Sequence, residues 1–335
     1  MTATGEAERV PAGPPATPAA LLEAARSGSQ RALGMLISLV EDGGPAARRL
    51  AALFGPFDHR CQVIGLTGSP GVGKSTATAA LVSTYRAREA RVAVLAVDPS
   101  SPFSGGALLG DRVRMQRHAL DDGVYIRSVA SRGHLGGLSA TTPEVIRVLE
   151  LCGFDVVLLE TVGVGQAEVE IASYADTVAV FVAAGLGDSV QAAKAGILEI
   201  ADVLVVNKAD RPGAEEVAQD LRQMLLLAER ASDVPPPPVL LVSAGQGDGI
   251  DALAAALDAH GAYLDRSGEG AARRARRVEA QLEAIAADLL TGQLRSEAAR
   301  RALAAAASEV LAGQTDAYRA AEGLVARLNP PARGV

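Results

Sequence analysis

Only three lysines, Lys74, Lys194 and Lys208, stand among the 32 basic residues of this 335-residue chain. Two of them lie in patterns with chemical meaning. Lys74 falls in the run Gly68, Ser69, Pro70, Gly71, Val72, Gly73, Lys74, Ser75, Thr76. Glycines at 68, 71 and 73 let backbone N–H groups turn into one concavity that cradles phosphate, and a helix starting at the end of the run adds its partial positive charge. Lys74 is then placed to bridge β- and γ-phosphates and to neutralise charge during phosphoryl transfer. Ser75 offers a hydroxyl to Mg2+, an ion that takes oxygen ligands. Lys208 belongs to Asn207-Lys208-Ala209-Asp210, whose aspartate can accept from guanine N1–H and the exocyclic amine together. Adenine has no such donor pair. Ser243, Ala244 and Gly245 follow the last apolar run and are placed to meet the base oxygen through backbone N–H groups. The ligand these patterns indicate is GTP or GDP.

Carboxylates supply the next layer. Asp98 closes the apolar run 92–97 and Glu160 closes 156–159, so both project at the sheet edge where the phosphate loop opens, within reach of a metal or its waters. Asp111 lies in the long stretch after Asp98; spacing alone fits either a metal ligand or a solvated loop acid. Gln166 fits either a residue that positions attacking water or one that opens a helix. Lys194 follows Gly185-Leu-Gly-Asp188-Ser-Val-Gln191, a loop entering a helix, and is either a chance survivor in an arginine-rich chain or the carrier of a third role.

The elements that must position these residues are legible as periodicity. Residues 1–17 are rich in Pro, Ala and Gly without hydrophobic spacing and read as a disordered tail. Leu21, Leu22, Ala25, Leu33, Leu36, Ile37 and Val40 recur at helical spacing, so one or two N-terminal helices are expected within 18–60. Over 61–264 short Val/Ile/Leu runs alternate with amphipathic stretches, at 63–66, 92–97, 156–159, 178–182, 203–206 and 239–242, with a further strand possible at 125–129. Runs apolar on both faces suit a parallel sheet covered by helices, which predicts a doubly wound α/β domain with its ligand at the carboxyl ends of the strands. After Leu264 strand signals stop. Val278, Leu282, Ile285 and Leu289 follow a 4-3-4 helix seam, and helices are expected at 296–311 and 316–328, making 265–335 an α-helical arm that packs on another subunit or back on its own domain.

Composition excludes several classes. A net charge of −7 offers no general field for nucleic acid, and the local cluster Arg273, Arg274, Arg276, Arg277 reads as a solvated helix face near a chain-to-chain contact. Cys61 and Cys152 are far apart and form neither a disulfide framework nor a metal motif. No signal peptide and no 18-residue apolar run is present, so a cytoplasmic protein without membrane attachment is expected.

Taken together, the motifs resemble those of the MeaB/ArgK-type GTPases associated with methylmalonyl-CoA mutase, relatives of the metallochaperone GTPases. The resemblance rests on Gly65 to Thr76, Val97-Asp-Pro-Ser-Ser101, Gly105-Gly106 with Leu109-Gly-Asp-Arg112, Ser131-Arg-Gly-His-Leu-Gly-Gly137 and Glu160-Thr-Val-Gly-Val-Gly-Gln166, and covers about residue 33 to the C-terminal helices. It implies magnesium ligands at Ser75, Asp98, Asp111 and Glu160, and a mobile third switch at about 184–196 that includes Asp188 and Lys194. It also implies a homodimer through the C-terminal helices. The activity it implies is that of a GTP-driven chaperone that gates adenosylcobalamin loading and protects a cobalamin-dependent acyl-CoA mutase. Pro102-Phe103-Ser104 departs from the family's usual polar residues before Gly105-Gly106. A nickel metallochaperone is the alternative; against it stand four histidines, His59, His118, His134 and His260, scattered singly with no Cys/His cluster.

Overall fold

The computed structural model describes residues 17–55, 61–98, 118, 120–130, 141–161, 167–185, 197–227, 236–294 and 296–328, and the side chains of Asp98, Ala130, Ala167, Ile197, Leu198 and Asp288 lie outside that description. Three helices come first, α1 (Pro18–Arg26), α2 (Gln30–Asp42) and α3 (Gly44–Ala51). Thr17 and Ser29 cap α1 and α2 by accepting from Ala20 N–H and Ala32 N–H, each at 3.3 Å, and Pro18 fits the first turn, where no N–H is needed. The expectation of one or two helices is corrected to three, because Gly43 with φ +70° breaks the chain between α2 and α3.

Among the described residues seven parallel strands follow: β1 (Gln62–Gly68), β2 (Val92–Asp98), β3 (Val124–Ala130), β4 (Val156–Thr161), β5 (Thr177–Ala183), β6 (Val203–Asn207) and β7 (Val239–Val242). Their order is β3-β2-β4-β1-β5-β6-β7, so the uncertain strand at 125–129 exists and forms one edge. Between them run α4 (Lys74–Arg86), α5 (Thr142–Leu151), α6 (Ala167–Glu170), α7 (Ala214–Leu227) and α8 (Ile250–Ser267).

Strand side chains alternate between two cores. Val63, Leu95, Val157, Val180 and Leu204 pack with Leu36, Ile37, Val148 and Leu221 of α2, α5 and α7. Ile64, Leu66, Val94, Leu158, Phe181 and Val205 pack with Leu81, Val82, Leu253 and Leu257 of α4 and α8. Burial on both faces is why the strands read as continuous apolar runs, and each large side chain fully removed from water contributes about 1.5–3 kcal/mol. The central position of β1, with β4 on one side and β5 on the other, is the point where the winding reverses, the place at the carboxyl ends of the strands where open α/β sheets bind ligands.

The chain divides into two compact units, one ending at Arg274 and one starting at Ala275. That division falls ten residues beyond the 264/265 boundary expected from where strand signals stop. Arg273 donates to both oxygens of Asp202 at 2.9 Å and pairs with Glu269 at 3.1 Å, which holds the first turn of α9 (Glu269–Leu294) in the first unit. Arg273 is therefore a structural clamp, not a solvated charge. In the second unit α10 (Glu297–Leu311) and α11 (Ala317–Leu328) pack together, burying Ala299 and Leu324. On α9 the seam residues Leu282, Ile285 and Leu289 are exposed.

Candidate nucleotide-binding site

β1 carries the phosphate loop directly out of the sheet. Gly68 is still paired opposite Phe181 of β5 while its φ is +135°, and a Cβ there would stand 2.1 Å from the Phe181 carbonyl oxygen. Only glycine lets the loop begin this close to a neighbouring strand. Gly73, with φ +98°, precedes α4, and a Cβ would come within 2.4 Å of Asn207 Nδ2.

Lys74 opens α4 and is 6 % exposed; its Nζ donates to the carbonyls of Gly68 at 2.5 Å and Ser69 at 3.0 Å. The ammonium is thus held at the mouth of the loop. One helical step on, Ser75 Oγ donates to Glu160 Oε1 at 2.6 Å, and Thr78 Oγ1 lies 2.8 Å from Glu160 Oε2. Glu160 sits in β4, opposite Leu66 of β1 and Ala96 of β2, and is 4 % exposed. Hydroxyl donors offset the cost of burying this carboxylate. Asp98 ends β2 two residues beyond Ala96, so its backbone reaches the same edge of the sheet. A hydroxyl and a carboxylate side by side at the start of α4 are hard oxygen donors of the kind Mg2+ takes. The side chain of Asp98 and the whole of Asp111, Gln166, Asp188 and Lys194 lie outside the described residues.

The base end is joined to the phosphate end by one carboxamide. Asn207 ends β6 and is 2 % exposed; Nδ2 donates to the Val72 carbonyl at 2.8 Å, and Oδ1 accepts from Ala244 N–H at 3.1 Å. Lys208, with φ +57°, donates to the Gly71 carbonyl at 2.6 Å. Three loops therefore share one polar joint. Asp210 is exposed in the turn that follows. In the 243–245 turn, expected to meet the base oxygen through backbone N–H groups, Ser243 N–H donates to the Asp248 carbonyl and Ala244 N–H to Asn207 Oδ1.

Sequence reasoning missed two hydroxyl features. Thr78 is one, although its place three residues after Ser75 on the same helix face was a readable signal. The other is a buried chain in which Thr161 Oγ1 donates to Thr67 Oγ1 at 3.1 Å and Thr67 Oγ1 donates to the Glu168 carbonyl at 3.3 Å. Nothing in composition or periodicity marked it.

A glycine-rich loop between β1 and α4, a buried lysine at its end, and an Asn-Lys-Ala-Asp turn beside it define a P-loop nucleotide-binding protein of the GTPase class. Comparison with known proteins agrees. The model of the family described as methylmalonyl-CoA mutase-associated GTPase MeaB matches residues 33–299, and the chain belongs to that family. A protein of Pyrococcus abyssi named as a GTPase is 41% identical over 304 residues, spanning 90% of this chain and 94% of the relative. The GTPase ArgK of Escherichia coli is 38% identical over 245 residues, 71% of this chain and 74% of that protein. A crystal structure titled LAO/AO transport system kinase superposes with a TM-score of 0.68 at 26% identity, covering 95% of this chain and 100% of that one. The chain is a GTPase that binds guanine nucleotide and hydrolyses GTP. Among the described residues no helix is long and apolar enough to cross a membrane.

Proposed function

We propose that this GTPase is a chaperone for an adenosylcobalamin-dependent acyl-CoA mutase, most simply methylmalonyl-CoA mutase, and that GTP gates cofactor loading and protects the mutase from inactivation. Membership of a family described by its association with that mutase supports the target. The observation that carries the switching half is the Asn207 joint, which makes the phosphate loop, the Asn-Lys-Ala-Asp turn and the 243–248 loop one mechanical unit. A change felt by one of these loops is imposed on the others, as a two-state element requires.

In this reading Gly68 to Thr76 cradle the phosphates, Asp210 selects guanine, and Ser243 to Gly245 flank the base. Lys74 neutralises charge on the transferring phosphoryl group, and Gln166 aligns the attacking water. Ser75, Asp98, Asp111 and Glu160 hold Mg2+, which supplies further neutralisation of the β- and γ-phosphates. Asp188 and Lys194 relay nucleotide state to the mutase. The 265–335 helices form a homodimer, and the protein works in the cytoplasm.

The test is to mix the purified full-length protein with purified methylmalonyl-CoA mutase in the presence of GTP, GDP or no nucleotide. A complex whose affinity depends on the nucleotide, and a mutase-stimulated rate of GTP hydrolysis, are expected. No association in any of the three states, with hydrolysis unaltered by mutase, would overturn the reading.

A further inference from the structure

Glu160 receives more than the metal-site residues require. Its two carboxylate oxygens face two different hydroxyls of α4: Oε1 accepts from Ser75 at 2.6 Å, and Oε2 lies 2.8 Å from Thr78 Oγ1. Thr78 is completely buried, and its hydroxyl is also 3.0 Å from the Lys74 carbonyl one helical turn back. A hydroxyl has one proton to give, and the carboxylate is the stronger acceptor, because bonds to an ionised group are roughly twice as strong as neutral ones. Two hydroxyls from one helix thus fix both the position and the rotation of a carboxylate presented by a strand. The terminal torsion of Glu is broad, so a bond to each oxygen narrows the orientations open to the carboxylate.

We propose that Thr78 is a positioning residue for the metal-binding carboxylate: by holding Glu160 Oε2 inward it keeps Oε1 beside Ser75, where a divalent cation is to be bound. The proposal rests on Ser75 and Glu160 being metal ligands. Partners of this kind, which touch the ligand and not the ion, typically change metal affinity by about 10–100-fold when removed.

The alternative is that Thr78 merely satisfies itself on the Lys74 carbonyl, as buried helical threonines do. Mn2+ binding to the GDP complex of the full-length protein, followed by electron paramagnetic resonance, separates the two. Thr78→Val, which keeps the shape and removes the hydroxyl, is expected to weaken Mn2+ binding about tenfold. Thr78→Ser should restore it to within about twofold of the parent. GDP affinity in excess chelator should stay within about twofold in the Thr78 variants, because the hydroxyl meets the phosphate-cradling run at the Lys74 carbonyl oxygen, an acceptor that takes no part in binding phosphate. Thr78→Ala carries the same comparison should Thr78→Val fold poorly. Parent-like Mn2+ affinity in a folded Thr78→Val or Thr78→Ala protein overturns the proposal. Glu160→Gln locates the failure. If Glu160→Gln weakens Mn2+ while the Thr78 variants do not, only the positioning role is wrong; if Glu160→Gln also binds Mn2+ like the parent, the ligand assignment fails and takes the positioning role with it.

Discussion

Asn207 uses both ends of its carboxamide inside the protein, on Val72 and Ala244. In the proposed reading, discrimination between bases falls on Asp210, an exposed residue of the neighbouring turn. Asp210→Asn is expected to weaken GTP at least tenfold while leaving ATP binding as weak as before, since hydrogen bonds to a charged group contribute about 1.5–3 kcal/mol each. Calorimetric titration with both nucleotides checks this, and equal affinity of the parent for GTP and ATP would remove Asp210 from the role. Much at this scale was legible, because glycine spacing and a lysine in a lysine-poor chain are local signals. Thr78 was not singled out, because the meaning of its hydroxyl depends on which carboxylate of a strand 82 residues away faces it.

At the scale of elements, β5, β6, α8 and α9 meet in a polar cluster at the amino edge of the sheet. Asp202 accepts from Val178 N–H at 2.9 Å and from Arg273, and His260 Nε2 stands 3.3 Å away while Nδ1 faces Thr177 Oγ1 at 2.9 Å. A neutral imidazole with its proton on Nε2 satisfies both contacts, a tautomer inferred from the partners. Burial pushes the His260 pKa below its ordinary value, against the pull of Asp202 and with a contribution from Arg273. The unfolded chain therefore takes up the proton more readily than the fold. The stabilisation is present in full above the ordinary histidine pKa of about 6.5 and is lost as pH falls through the lower folded value. Urea midpoints measured from pH 7 downwards should fall less steeply in His260→Gln than in the parent; parallel falls would exclude His260 as the cause. The strands themselves were readable from the Val/Ile/Leu runs. The Arg273 clamp was not, because its main partner lies 71 residues away in sequence and a run of four arginines within five positions looks solvated.

At the scale of the whole molecule, the second unit leaves a row of apolar side chains on α9 in the open: Leu282 is 62% exposed, Leu289 48% and Leu290 53%. Contiguous exposed apolar surface of this kind marks an association site, in keeping with the proposed homodimer. The double variant Leu282→Glu with Leu289→Glu is expected to convert a dimer to monomers in multi-angle light scattering without loss of GTP binding. A parent protein already monomeric at micromolar concentration would refute the dimer. The existence of the helical arm was legible from the end of strand signals at Leu264. The division between the two units falls inside the continuous helix α9, and periodicity does not mark where a helix changes its company.

The hydroxyl chain from Thr161 through Thr67 to the Glu168 carbonyl has a topological consequence. Residues 161 and 168 are both moored to one side chain, so the stretch between them is a closed circuit whatever its sequence. Closure entropy grows only slowly with length, about 0.6 kcal/mol per doubling. Two hydrogen bonds to one threonine thus tie Thr161 and Glu168 to the same point of β1. The mooring post is Thr67, the residue immediately before Gly68. Strain arising at either end of the circuit is therefore delivered to the first residue of the phosphate loop, through one hydrogen bond and one peptide link.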